Sequence, residues 1–312
     1  MTGVQVLDDG AEFEQHRRYL SAVAYRLLGS LADAEDTVQD AWLRWRSVDR
    51  STVQDPRAFL TIVVTRICYD LLGSARARRE AYYGEWLPEP AVGDERGQSP
   101  DPEDVATLGE SVSYAMLALL EQLTPAERAA FVLHDVFAVG FAEIGEALGR
   151  SPEAVRQLAS RGRRRVRERE PVGRRSVDRA EHRKAVAAFA AATLHGDLPG
   201  LMAVLDPNVV WHADGGGIVR AANQPLVSGE RVAKLVAGLV NRWIEPEFGM
   251  ELRVVDVNAA PGLLVLDGSG AAMGVIAFEV VDGLITQAFA VVNPGKLGRV
   301  AGGAVSPYLP RR

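Results

Sequence analysis

From Glu12 to about Glu80, apolar positions recur at spacings of three and four, as in Tyr19, Val23, Leu27 and again in Val38, Trp42, Trp45. This predicts a module built of helices. In the helix expected after Pro56, the apolar side is Phe59, Ile62, Val63, Ile67 and Leu71, with Arg66 and Asp70 outside it, one turn apart. The periodicity stops at residues 81–110, where YYGEWLPEPAVGDERGQSPDPED carries Pro88, Pro90, Pro100 and Pro102. Such composition predicts a linker with no core of its own. Helical spacing resumes over 111–170, and Pro171 and Gly173 then punctuate the chain. Beyond them the pattern predicts a helix over 178–195, a short one after Pro199 and another from Gly229 to Trp243. These alternate with strand-like runs: VVWHA, MELRVVDVN, GLLVLD and AAMGVIAFEVVDGLITQAFAVVN. Asp282-Gly283 between two apolar runs is a hairpin signal. The expected organisation is two all-α modules, 1–80 and 111–170, joined by the linker and followed by an α+β module over 178–300.

A length of 312 residues suits two or three domains, and 47% hydrophobic with 24% charged residues excludes a disordered or fibrous chain. Cys68 is the single cysteine and cannot form an internal disulfide. His16, His134, His182 and His195 are dispersed without ligand spacing, so neither metal nor cofactor is expected. The N-terminus carries acids where a secretory signal needs positive charge. The longest uncharged alanine-rich run, Ala185 to Leu194, is about half of the ~20 residues of a membrane helix. A cytoplasmic protein without membrane attachment is therefore expected. The net charge of −6 argues against DNA binding, but it is segregated along the chain. Residues 150–184 hold 13 basic against 5 acidic side chains, whereas residues 80–110 hold nine acids against the one base Arg96.

The basic segment contains FAEIGEALGRSPEAVRQLASRGRRRV, which has the layout of a helix-turn-helix. Phe141, Ile144 and Leu148 share one face, and Gly149 supplies the turn. Ser151 suits the N-cap, Pro152 the first helical position and Glu153 the positive first turn. Val155 and Leu158 then point inward and leave Arg156, Gln157, Ser160 and Arg161 outward, where a recognition helix meets DNA. Arg163, Arg164, Arg165 and Arg167 extend a salt-sensitive electrostatic footprint. The competing reading is a solvated basic hairpin; cap, turn glycine and outward arginines occurring together favour DNA.

In DAEDTVQDAWLRW, Val38, Trp42 and Trp45 mark a buried stripe while Asp36, Gln39, Asp40 and Leu43 lie on another face. Taken alone, that face reads as solvated surface. Arg76, Arg78 and Arg79 end the next helix, where they suit either bound phosphate or a helix C-terminus.

The three segments in this order resemble the sigma-70 superfamily, specifically the extracytoplasmic-function sigma factors with only regions two and four. DAEDTVQDAWLRW resembles the region 2.2 helix, RAFLTIVVTRICYD regions 2.3 to 2.4, and LTPAERAAFVLHDVFAVGFAEIGEALGRSPEAVRQLASRGRRRV region four, so the likeness covers 11–170. The resemblance implies core RNA polymerase, through its clamp helices and flap, and promoter DNA as partners. It assigns polymerase contacts to Asp36, Gln39, Asp40 and Leu43. It assigns the minus-ten element to Arg66, Asp70, Arg76, Arg78 and Arg79, and the minus-thirty-five element to Arg156, Gln157, Ser160, Arg161, Arg163 and Arg164. Arg66 stands where the family usually has asparagine, Gly73 where it has arginine, and Leu158 where a basic residue is frequent.

The third module, with VVWHADGGG and NPGKL after the linker motif YYGEWLPEP, resembles the SnoaL-like domain fused to one subgroup of these factors. That domain is a cone-shaped α+β fold with a central pocket, and in the subgroup it regulates the sigma core from within the same chain. Trp86, Pro88, Trp211, His212, Asp214, Gly215, Asn293, Pro294, Lys296 and Leu297 carry this part of the likeness, while Ile218 and Gly295 replace the usual lysine and aspartate. The resemblance implies intramolecular contact between this domain and the sigma modules and admits an unidentified small-molecule ligand. Related folds include enzymes with Asp and His in the pocket. Along a regular strand, however, Trp211 and His212 point to opposite faces, and Gly215 to Gly217 makes a tight bend in preference to a phosphate cradle. The expectation is a promoter-recognition subunit without catalytic residues; the alternatives are a one-component ligand-responsive regulator and a pocket enzyme on a DNA tether.

Overall fold

The structure, a computed structural model, describes residues 5–80, 82–93, 112–168, 178–243 and 249–306, with the side chains of 5–9, 75–80, 240–243 and 301 outside the description. Contacts divide the chain into two compact units, Met1–Glu80 with Leu119–Glu170, and Ala81–Ala118 with Pro171–Arg312.

The first unit is helical. Helices α1 (Gln5–Leu28), α2 (Leu31–Ser47) and α3 (Pro56–Glu80) pack on one another. Ser30 caps α2 by accepting from the Asp33 amide at 3.2 Å. Phe13, Leu20, Val23, Leu27, Val38, Trp45 and Leu60 are buried. The buried face of α3 is wider than the periodicity predicts: Leu60, Val64, Cys68 and Leu72 join Val63 and Ile67, while Phe59, Ile62 and Leu71 are half-buried. The cause is packing from two sides, by α1 and α2 and by the region-four helices. Those follow α4 (Tyr114–Leu120) as α5 (Pro125–Phe131), a π-helical turn Val132–Val136, α6 (Phe141–Leu148) and α7 (Pro152–Arg167). Thr124 and Glu127 form a reciprocal capping box at α5. Gly149 takes φ 62° between α6 and α7, the left-handed conformation glycine tolerates. Ser151 then caps α7, accepting from the Ala154 amide at 3.2 Å.

The second unit is α+β. Strands β1 (Val92–Gly93), β2 (Leu205–Asp214), β3 (Leu226–Val227), β4 (Glu251–Val257), β5 (Ala260–Leu266), β6 (Ala272–Val281) and β7 (Leu284–Val291) form one sheet in the order β1-β4-β5-β6-β7-β2-β3. Neighbours are antiparallel except β2 with β7. Asp282 and Gly283 join β6 to β7 with φ 50° and 76°, the two positive dihedrals of a type I′ turn. Helices α8 (Arg179–Leu194), α9 (Leu198–Val204) and α10 (Gly229–Trp243) flank the sheet, with Val186, Phe189, Leu201, Val236, Leu263 and Phe278 in a shared core. A second core holds Leu87, Tyr114, Val255, Met273, Phe289 and Leu297.

Leu87 in that core corrects the reading of 81–110 as chain without packing. Leu87, Pro88, Glu89, Pro90 and Ala91 are all buried, and β1 extends the sheet, Val92 opposite Val257. The average over 81–110 hides WLPEPAV, a short apolar run whose prolines suit an extended edge segment. Residues 94–111 lie outside the described residues.

Candidate functional site

Because α2 turns Val38 and Trp45 into the core, its opposite face is left to solvent. Asp36, Gln39, Asp40 and Leu43 are all exposed on it, Leu43 to 53%. Leu43 thus holds an apolar side chain in solvent on the same face as two carboxylates.

The polar side of α3 carries Arg66 and Asp70, both exposed. Arg66 Nη2 donates to the Glu146 carbonyl of α6 at 3.1 Å and lies 3.4 Å from Glu146 Oε1. The side chains of Arg76, Arg78 and Arg79 lie outside the described residues. On α7, Val155 and Leu158 are buried, and Arg156, Gln157, Ser160 and Arg161 are exposed. The Arg156 guanidinium is 5.3 Å from the Phe141 ring centroid. Arg161 Nε donates to Glu127 Oε1 at 3.2 Å and Arg165 Nη1 to Oε2 at 2.6 Å. Arg163 and Asp135 form an ion pair at 2.8 Å without hydrogen-bond alignment, and Arg164 and Glu168 a loose one at 3.6 Å. Burial pushes the Glu127 carboxyl up, but hydrogen bonds from Thr124, the charge of Arg165 and the hydrogen bond from Arg161 outweigh it and hold it below its ordinary range. The arginine helix is thus neutralised internally along one side.

A buried latch joins the region-two and region-four helices, and it has no local sequence signal. Arg128 of α5 donates from Nε and Nη2 to the Arg26 carbonyl at the end of α1, each at 3.1 Å, and from Nη1 to Glu121 Oε1 at 2.7 Å. Its side chain is 2% exposed and that of Glu121 7%. Nearby, burial lowers the Arg26 pKa to about 10. Burial pushes the Cys68 thiol up to about 12, which leaves it a packing residue.

In the second unit the segment 82–93 is fastened around Asp214, at the end of β2. Asp214 is fully buried and accepts from Tyr82 Oη at 2.5 Å, the Leu87 amide at 3.0 Å, the Gly216 amide at 2.9 Å and Lys296 Nζ at 2.6 Å. Lys296 Nζ also donates to the Leu87 carbonyl and sits 3.3 Å from the Trp86 ring centroid, a cation–π contact. Asn293 Nδ2 donates to Tyr82 Oη at 2.9 Å, and Asn293 Oδ1 accepts from the Gly295 amide at 3.0 Å. Gly216 has φ 68°, and a Cβ there would stand 2.5 Å from the Asn293 side chain, so the bend admits only glycine. Burial first, then the bond to Asp214, raises the Tyr82 pKa. Nearby, His212 Nδ1 lies 2.7 Å from Glu85 Oε1, and its ring stacks on Phe289 at 4.8 Å. The Ala91 backbone bonds both ways with Asn258, N to Oδ1 at 3.1 Å and O from N at 2.8 Å.

Of the residues singled out by sequence, this clasp brings together Trp86, Asp214, Asn293 and Lys296, and Leu297 is buried in the adjoining core. Pro88 contributes its carbonyl to the Tyr114 hydroxyl at 2.6 Å. Gly215 and Pro294 shape the two turns: Gly215 accepts from the Val219 amide, and Pro294 opens the turn Pro294–Lys296. Trp211 is not part of it; it belongs to the core shared with the helices. Ile218 is 51% exposed.

The Sigma-70 region 2 family matches residues 13–78, and the Sigma-70 region 4 family matches 113–166. The chain is 41% identical over 291 residues to the ECF RNA polymerase sigma factor SigJ of Mycobacterium tuberculosis, covering 92% of each. It is 34% identical over 290 residues to SigI of the same species, named as a probable ECF sigma factor, covering 92% of this chain and 94% of that one. The crystal structure of the M. tuberculosis extracytoplasmic function sigma factor SigJ matches with a TM-score of 0.75 at 39% identity, covering 93% of this chain and 98% of that chain. The identity runs through both sigma regions and on into the α+β unit, and so the chain belongs to the extracytoplasmic-function sigma factors of the sigma-70 family, with a C-terminal α+β extension.

Proposed function

We propose that this sigma factor engages core RNA polymerase through Asp36, Gln39, Asp40 and Leu43, offered to the clamp helices, and through region four, offered to the flap. Arg66, Asp70, Arg76, Arg78 and Arg79 serve the minus-ten element. Arg156, Gln157, Ser160, Arg161, Arg163 and Arg164 serve the minus-thirty-five element. The two elements lie about 25 base pairs, roughly 85 Å, apart at about 3.4 Å per step. Arg66, however, is bonded to Glu146 of α6 at 3.1 Å, and the Arg128 latch holds α5 on α1. Promoter engagement therefore requires the two regions to part.

The C-terminal unit regulates that parting. The observation that carries this reading is the fourfold hold on Asp214, which fastens the chain between the two regions to the α+β unit. Clasping residues 82–93 fixes twelve residues of the tether joining α3 to α4 on the α+β unit. The clasp thus restrains opening, and its release favours initiation. Catalysis is disfavoured by the same geometry: Asp214 is saturated with donors, and His212 is held between Glu85 and Phe289. Neither lines a cavity of the α+β unit among the described residues, where a substrate would have to sit.

Run-off transcription with purified core polymerase and the full chain tests both parts. Asp40→Arg is expected to abolish polymerase binding and transcript, and Lys296→Met to raise transcript from the same promoter. Unchanged transcript with Asp40→Arg defeats the assigned docking face; equal transcript with Lys296→Met defeats the restraint alone.

A further inference from the structure

The α+β unit contains a cavity of about 560 Å³ bounded by α8, α10 and the strands. Phe189, Trp211, Leu235, Leu252, Leu263 and Ile276 form much of its wall. A second cavity of about 480 Å³ shares Ala213, Val219, Arg220, Ala221 and Ala222 with it. Either volume falls in the range of about 300–1,000 Å³ usual for small-molecule sites. A wall this apolar holds water poorly.

The few polar groups define what fits. Thr193 Oγ1 is engaged with the Phe189 carbonyl at 2.7 Å, and Lys234 is paired with Glu230 at 2.5 Å. Arg220 borders both cavities, is exposed, and has no hydrogen bond or ion pair among the described residues. No carboxylate or imidazole lines either cavity among those residues. An apolar chamber with one unneutralised guanidinium at its edge is complementary to an anion with an apolar body, and a guanidinium binds a carboxylate through two parallel hydrogen bonds.

We propose that the larger cavity is a binding site for a monocarboxylic acid with an apolar body, the body lying against Trp211 and Leu263 and the carboxylate on Arg220. The second cavity is walled by Tyr83 and Gly84 of the clasped segment, and Asn223 Nδ2 donates to Tyr83 Oη at 2.7 Å. A carboxylate on Arg220 therefore lies beside the clasp, which gives the ligand a physical route to it. The site itself stands independently of whether the clasp regulates transcription.

The test is calorimetric titration of the full chain with decanoic acid, decan-1-ol and decylamine. Decanoate is expected to bind once per chain, saturably, and at least tenfold more tightly than the alcohol, with the amine weakest. Octanoate should bind more weakly, each added methylene tightening binding about fourfold. Arg220→Gln alters an exposed side chain; it is expected to preserve the melting temperature, bring decanoate to the affinity of decan-1-ol and leave the alcohol unchanged. Equal affinity for acid and alcohol, no effect of Arg220→Gln, non-saturating uptake, or no binding by any of the three overturns the proposal.

Discussion

The Arg128–Glu121 pair of the helical unit and the Lys296–Asp214 pair of the α+β unit are both nearly free of solvent, yet they are built for different fates. Arg128 directs two of its N–H groups to the carbonyl of Arg26 and one to Glu121, so its latch crosses between two modules and parts along a plane. When the modules separate, both charges return to water, and the desolvation each suffered on docking is recovered. Asp214 instead collects a phenol, two backbone amides and an ammonium from three stretches of chain. Release of residues 82–93 would take away only the phenol and the Leu87 amide, and the Lys296–Asp214 pair would stay together within the α+β unit. A buried ion pair is thus a separable latch or an anchor according to whether its partners leave together.

The largest effect that would sharpen this contrast is at the anchor. Asp214→Ala leaves the Lys296 ammonium buried without a counter-charge and strands the donors of Tyr82, Leu87 and Gly216. Removing one partner of a buried pair typically destabilises by about 3–5 kcal/mol. Denaturant unfolding should show that loss in the α+β unit alone. Adding Lys296→Met to Asp214→Ala should destabilise little further, because the charge left unpaired has gone.

Arg128→Met should have a smaller effect, limited by the free energy that docks region four on region two, since Glu121 regains water once they part. About 2 kcal/mol is expected, appearing as a roughly thirtyfold faster hydrogen exchange at the Gly29 amide, which now donates to Tyr25 at 2.7 Å. The α+β unit should be unaffected. A loss as large as that of Asp214→Ala would erase the distinction between latch and anchor.

Neither the Lys296–Asp214 pairing nor the hold of Arg128 on α1 is legible in the sequence, and the reason is distance along the chain. Asp214 and Lys296 are 82 residues apart, and Arg128 acts on a carbonyl 102 residues away. Local signals fared differently. Ser151 and Gly149 announce the start of α7 because a cap and a left-handed turn are decided within a few residues. Asp282-Gly283 sets its hairpin for the same reason. Strand alternation correctly separates Trp211, in the helix-covered core, from His212, stacked on Phe289 of the other core. The packing of 82–93 was hidden by averaging: nine acids over 80–110 mask Leu87, Pro88 and Ala91, whose burial depends on a partner sheet more than a hundred residues away. Likewise the outward arginines of α7 are visible in the sequence, but not the Glu127 carboxylate that occupies two of their neighbouring guanidinium groups.

The smallest effect expected is a difference in pH response, because it rests on single ionisations. Glu127 sits below its ordinary range in the folded chain, so its contribution is present above the unfolded value, about 4.3, and is lost as pH falls through the folded one. Tyr82 is raised, so the stability it gives the clasp is present below its unfolded value, about 10, and is lost as pH rises through the still higher folded one. Acid should therefore weaken the helical unit through Glu127 and alkali the α+β unit through Tyr82, while the raised Cys68 thiol adds an alkaline loss of its own to the helical unit above about 8.5. Unfolding followed unit by unit from pH 3 to pH 11 checks this. Glu127→Gln should flatten only the acid limb, since an amide cannot lose or gain the proton. Tyr82→Phe should flatten only the alkaline limb, at the expense of the bond to Asp214. An acid limb that survives Glu127→Gln would move the acid sensitivity to other carboxylates. An alkaline limb that survives Tyr82→Phe would move the alkaline sensitivity away from the Tyr82–Asp214 bond.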